Sequence, residues 1–132
     1  MKRILLVEDE SDLINILDVV FSDEGYHVTQ MRSAEEALQF CQVRTPDLIV
    51  SDIKMGPMDG LTMYEKIRSM PKLSNVPFVV ISAFNDTAFV KRAKALGVAG
   101  YFVKPFDVDE VVRAIKKLLT APTEKERTPA SV

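Results

Sequence analysis

Short, wholly apolar runs alternate along this chain with longer stretches of helical periodicity. Ile4–Val7 is apolar throughout and flanked by charge, and Leu48–Val50, Phe78–Ile81 and Tyr101–Val103 repeat the pattern. Such runs suit strands buried on both faces. Tyr26–Met31 is more polar, as expected of a strand at a sheet edge. Between the runs, Leu13, Ile14, Leu17, Val20 and Phe21 keep helical spacing, with Asp9 or Ser11 as the expected cap and Gly25 as the stop. Ser33 and Glu36 form a capping-box pattern ahead of Ala34, Ala37, Leu38 and Cys41. Further helices are predicted from about Leu61 to Met70, Asp86 to Leu96 and Val108 to Leu119. Gly56-Pro57 and Asp59-Gly60 read as turn signals. The βα unit therefore occurs five times. Short connections then imply a parallel sheet covered on both faces, a doubly wound α/β fold.

The 132 residues are enough for one domain, read here as residues 1–120 followed by a polar tail or linker stub at 121–132. A net charge of −2 carries no basic stripe, which argues against direct nucleic-acid binding. Cys41 is the single cysteine, so an intrachain disulfide is excluded, and its helical spacing makes it core filler. His27 is the single histidine and reads as an edge or surface residue. Thiol, zinc and histidine chemistry are thereby set aside. No apolar run approaches the ~20 residues needed to cross a bilayer. The apolar segment after Met1-Lys2-Arg3 is too short for a signal peptide, so no membrane role and a cytoplasmic location are expected.

In open α/β sheets the chemistry gathers outside the carboxyl ends of the strands. Glu8 and Asp9 follow the first strand, Asp52 the third, Ser82 ends the fourth and Lys104 follows the fifth. Three close carboxylates repel one another unless a cation joins them, and hard oxygen donors suit Mg²⁺. A carboxylate can attack phosphorus, while a lysine and a hydroxyl can stabilise charge on a transferred phosphoryl group. Any one of these residues alone would pass as a helix cap or a solvated charge. All of them at neighbouring strand ends form a coherent constellation.

The segments Ile4–Glu10, Asp47–Met55, Met58-Asp59-Gly60, Ile81-Ser82-Ala83, Gly97–Tyr101 and Lys104-Pro105-Phe106, in this order and spacing, resemble the response-regulator receiver family over residues 2 to about 120. The resemblance implies a five-stranded flavodoxin-like (βα)5 sheet in the order 2-1-3-4-5. It implies a phosphorylation-dependent switch of a two-component system rather than an enzyme with an outside substrate. Asp52 would accept the phosphoryl group from a histidine kinase or a histidine phosphotransfer protein. Asp9, Asp52 and the Lys54 backbone carbonyl would hold Mg²⁺, or Mn²⁺ in its place, with Glu8 acting through water. Lys104 would pair with the phosphoryl group, Ser82 would move to hydrogen-bond it, and Tyr101 would turn inward behind Ser82. The Lys104–Pro105 peptide would be cis. The helix ending at Leu96, with Phe89, Val90 and Lys94, would belong to the surface that changes towards an unidentified output partner or output domain.

The chain departs from the family at several positions. Gly56 stands where proline is usual, Ser82 where threonine is commoner, and Ala99 and Gly100 where dimerising regulators often carry acids. Phe84 would flank the phosphoryl group and slow its hydrolysis. Three rival readings fit the residues less well. A pseudo-receiver acting only as an interaction module is opposed by the intact Asp9, Asp52 and Lys104. An aspartyl phosphatase would want Asp-x-Asp on the first strand and a cap domain. A flavin module would want a hydroxyl-rich phosphate loop where Glu8-Asp9-Glu10 stands.

Overall fold

The computed structural model describes residues 1–83 and 87–120. Ten elements alternate: β1 Arg3–Val7, α1 Ser11–Asp23, β2 His27–Met31, α2 Ala34–Val43, β3 Leu48–Ser51, α3 Gly60–Arg68, β4 Phe78–Ser82, α4 Thr87–Leu96, β5 Gly100–Val103 and α5 Val108–Thr120. The strands form one parallel sheet in the order β2-β1-β3-β4-β5. The doubly wound five-stranded fold expected from the sequence is the one observed.

Successive side chains on a strand face opposite sides of the sheet, and the core divides accordingly. Leu5, Val7, Ile49, Phe78 and Val80 face α2, α3 and α4, where they pack with Ala37, Leu61, Met63 and Ile67. Ile4, Leu6, Leu48, Val50, Val79 and Ile81 face α1 and α5, against Ile14, Leu17, Phe21, Val111 and Ile115. The wholly apolar runs of β1, β3 and β4 are thus explained by burial on both sides. β2 lies at an edge, where its residues are exposed or half-buried, and His27 is exposed as expected. Cys41 is buried, and burial pushes its thiol up to about 11, which leaves it protonated and unreactive at neutral pH.

Local signals at the helix ends need correction. α1 is preceded by Glu10, in extended backbone and with no side-chain cap, rather than by a capping Asp9 or Ser11. The capping box of α2 closes on one side only. Ser33 Oγ accepts from the Glu36 amide at 3.1 Å, but Glu36 Oε1 accepts from the Arg32 amide at 3.4 Å instead of returning to Ser33. α3 starts at Gly60, with Asp59 as its cap, and ends at Arg68 rather than Met70. The expected start of α4 at Asp86, the role of Phe84 and the tail at 121–132 lie outside the described residues. Among the described residues, no helix is long and apolar enough to cross a membrane.

Candidate functional site

Sheet register assembles the site. Val7 and Ser51 are partners across β1 and β3, so Glu8 and Asp52 leave the sheet side by side. The Asp52 amide donates to the Val7 carbonyl at 3.1 Å, and the Glu8 amide to the Met31 carbonyl at 3.1 Å. Ser82 and Val103 are partners across β4 and β5, and the Lys104 amide donates to the Ser82 carbonyl at 2.7 Å. Residues from distant parts of the chain thereby meet at one edge.

Glu8, Asp9 and Asp52 each offer a carboxylate oxygen within 4.8 Å of the others. Glu8 is fully buried, Asp52 is 8% exposed, and Asp9 is exposed, so the cluster opens to solvent on one side. Lys104 Nζ donates to Glu8 Oε1 at 3.0 Å and to Asp52 Oδ2 at 2.9 Å. Asp52 Oδ1 accepts from the Ile53 amide at 2.6 Å, and Glu8 Oε2 from the Glu10 amide at 3.0 Å. No buried side-chain nitrogen or oxygen among the described residues lacks a partner.

The electrostatics follow from this packing. Burial raises the pKa of Glu8, and the Asp52 charge adds to the rise. The Glu10 amide and Lys104 offset it only in part. Burial by itself would lower the pKa of Lys104. Its bonds to Asp52 and Glu8 outweigh that, so the ammonium is held charged. Three carboxylates and one lysine leave the pocket short of positive charge. Oxygen donors at this spacing, with lone pairs to spare, fit a small hard divalent cation.

The other expected residues fall as follows. Ser82 is fully buried at the end of β4. Tyr101 is half-buried on β5, beside Val80, and packs against the cluster beneath α2, α3 and α4. The Lys104–Pro105 peptide is cis, as expected. Lys54 is exposed, two residues beyond Asp52. Gly56 has a φ of +135°, which proline cannot adopt, so the departure at this position is one of backbone course as well as residue type. Val90 is 37% exposed and Lys94 is exposed, whereas Phe89 packs against the core.

Two residues of a family segment have structural roles that the sequence pattern does not show. The Asp59-Gly60 pair, a turn signal in the sequence, is the start of α3. Asp59 Oδ1 accepts from the Thr62 amide at 2.7 Å. A Cβ on Gly60 would lie 2.1 Å from the Asp52 carbonyl oxygen, so only glycine lets α3 come so close to the strand end. An acid directly before a helix, with Thr62 three residues on, was the available signal. A cavity of about 260 Å³ opens elsewhere, between β1, β2 and the end of α2, and is lined by Arg3, Leu5, Thr29, Phe40, Val43 and Arg44. Its lining contains no carboxylate, thiol or imidazole, so the chemistry points to the strand ends instead.

Comparison with known proteins agrees with this geometry. The family described as "Response regulator receiver domain" matches residues 4–116. Sporulation initiation phosphotransferase F of Bacillus subtilis (strain 168) is 31% identical over 118 residues, which are 89% of this chain and 94% of that protein. Transcriptional regulatory protein PdtaR of Mycobacterium tuberculosis is 32% identical, but the matched region is only 55% of its length. Among solved structures, chemotaxis response regulator CheY4 of Vibrio cholerae superposes with a TM-score of 0.83 at 25% identity, covering 90% of this chain and 99% of that one. Response regulator TrrA of Thermotoga maritima, solved in complex with Mg²⁺-BeF, gives 0.80 at 32% identity, covering 90% and 100%. With fold, strand-end residues and homology in agreement, the chain belongs to the response regulator receiver domain family of two-component systems.

Proposed function

We propose that this domain is a phosphorylation-dependent switch in which Asp52 accepts a phosphoryl group from a histidine kinase or histidine phosphotransfer protein. The observation that carries the reading is the bridge from Lys104 Nζ to Glu8 and Asp52, at the open carboxylate cluster. Asp9, Asp52 and the Lys54 carbonyl would hold Mg²⁺, with Mn²⁺ as an alternative and Glu8 acting through water. The ion, when bound, neutralises negative charge on the phosphoryl oxygens.

An Asp52 carboxylate oxygen attacks phosphorus in line. The new P–O bond forms as the P–N bond to the donor imidazole breaks, and the imidazole nitrogen keeps the electron pair. Lys104 exchanges its bond to the free carboxylate for one to a phosphoryl oxygen. The Ser82 hydroxyl donates a second, and Tyr101 follows Ser82 inward. Moving a two-state equilibrium from 1:99 to 99:1 takes ~5.5 kcal/mol. A few charge-assisted bonds at ~1.5–3 kcal/mol each reach that total. The surface of α4, β5 and α5 then presents a different face to an output partner. The domain turns over no outside substrate in this reading, acts in the cytoplasm, and does not itself bind nucleic acid or membrane.

The test is incubation with acetyl phosphate and Mg²⁺, followed by intact-mass measurement. Wild type is expected to gain one phosphoryl group, and Asp52→Ala or chelation of the metal to abolish the gain. Equal gain in Asp52→Ala would overturn the assignment. No gain in wild type would favour a pure interaction module.

A further inference from the structure

One guanidinium ties α4 to the edge of α3. Arg92 Nη2 donates to Thr62 Oγ1 at 2.9 Å and to Glu65 Oε1 at 3.0 Å, and Nη1 donates to Asp59 Oδ2 at 3.2 Å. The bonds to Thr62 and Glu65 join helix to helix. The bond to Asp59 reaches further, because Asp59 Oδ1 caps α3 through the Thr62 amide. Arg92 therefore fixes the carboxylate whose other oxygen starts the helix.

That helix start closes directly on the phosphoacceptor segment. The Gly60 amide donates to the Ile53 carbonyl at 2.6 Å, and Gly60 sits against the Asp52 carbonyl, which also accepts from Ser51 Oγ at 2.7 Å. Between Ile53 and the cap lies Lys54, whose carbonyl completes the cation pocket in the reading above. The Arg92–Asp59 bond and the Gly60–Ile53 bond, joined by the Asp59–Gly60 peptide link, thus connect Arg92 to the metal side of the site.

We propose that Arg92 is a positioning residue for the cation pocket, acting through the Asp59 cap to hold the backbone of Ile53 and Lys54 in place for Mg²⁺. The proposal rests on the metal-dependent reading of Asp52 and deepens it. Exposed ion pairs add little to global stability, so Arg92 acts mainly on the local geometry of the loop. By linkage, Mg²⁺ binding in turn strengthens the hold of α3 on α4.

The experiment titrates the full chain with Mg²⁺ by calorimetry, alongside urea unfolding, for wild type, Arg92→Ala, Arg92→Lys and Glu65→Ala. Removing a direct partner of a metal ligand costs about 10–100-fold in affinity, and Arg92, several links further out, is expected to cost about fivefold. Arg92→Lys keeps one charged bond and is expected to recover part of the loss. Glu65→Ala removes the shorter of the two ion pairs of the same guanidinium, 3.0 Å against 3.2 Å, but leaves the cap, and is expected to bind Mg²⁺ like wild type. With acetyl phosphate, Arg92→Ala should raise the Mg²⁺ concentration for half-maximal phosphorylation and leave the rate at saturating Mg²⁺ unchanged, a split that general loosening of the fold does not produce. If Arg92→Ala does not fold, Arg92→Lys against Glu65→Ala decides. A folded Arg92→Ala with wild-type Mg²⁺ affinity overturns the inference alone, as does an equal loss in Glu65→Ala. Wild type that binds no Mg²⁺ in an Asp9-dependent manner overturns the inference together with the reading beneath it.

Discussion

Helices α3 and α4 are neighbours on one face of the sheet, yet different forces hold them. α3 buries Gly60, Leu61, Met63, Tyr64 and Ile67, and Tyr64 stacks on Phe78 with ring centroids 4.3 Å apart. α4 is one residue longer and buries Ala93. Its hold on α3 is a polar seam. Arg92 bonds to Asp59, Thr62 and Glu65, Arg68 Nη1 donates to the Leu96 carbonyl, and Tyr64 Oη donates to the Gly97 carbonyl at 3.3 Å. Burying a large apolar side chain is worth about 1.5–3 kcal/mol. A hydrogen bond exchanged with water nets only about 0.5–1.5 kcal/mol. The helix that closes on the Asp52 loop is bolted by apolar burial, whereas α4, with Ala93 buried and Phe89 and Leu96 partly buried, relies more on bonds that water can replace. Elements that move are drawn from the weakly held part of a fold.

The sharpest way to break this contrast is to empty the α3 side. Ile67→Ala removes a fully buried side chain and should cost about 2–5 kcal/mol in urea unfolding. Gly60→Ala forces a Cβ into the Asp52 carbonyl and should cost at least about 2 kcal/mol. It should also weaken Mg²⁺ binding, and unchanged binding would detach the α3 start from the site. Asp59→Ala removes a cap and should cost about 1 kcal/mol.

Asp59 also predicts a pH dependence. Burial works against its charge, but the Thr62 amide and hydroxyl and Arg92 outweigh burial and hold its pKa below the ordinary value. A depressed folded pKa contributes stability that is complete above the unfolded value of about 3.9 and disappears as pH falls through the lower folded value. Urea midpoints of wild type and Asp59→Asn, a cap that does not titrate, should therefore converge below about pH 4. Smallest of all, Val90→Ala on the exposed side of α4 should leave stability within about 0.5 kcal/mol. A loss as large as that of Ile67→Ala would erase the distinction between the two helices.

Much of this was legible from the chain. The apolar runs of β1, β3 and β4 located the central strands because burial on both faces confines polar residues to the strand ends, at Arg3, Ser51 and Ser82. Glu8, Asp9, Asp52, Ser82 and Lys104 stood out because each sits at or just past a strand end. The helix starts were less legible. The choice of Glu10 over Asp9 or Ser11 depends on the extended backbone on leaving β1, with ψ of 114° at Glu10. Asp59 passed as part of a turn because its second partner, Arg92, lies 33 residues away. Gly60 belonged to a family segment at a fixed spacing from Asp52, but the steric reason for it, that an added Cβ would lie 2.1 Å from the Asp52 carbonyl oxygen, is set by the packing of α3.

By itself the sequence determined the alternation of strands and helices, the two-sided core and the kinds of side chain at the strand ends, because periodicity and burial are written into near neighbours. Only the tertiary structure decided how those side chains meet. The 2.9 Å contact of Lys104 with Asp52 across 52 residues, and the reach of Arg92 to the α3 cap, are set by sheet register and helix packing. Both depend on all the elements at once, and no local pattern encodes them.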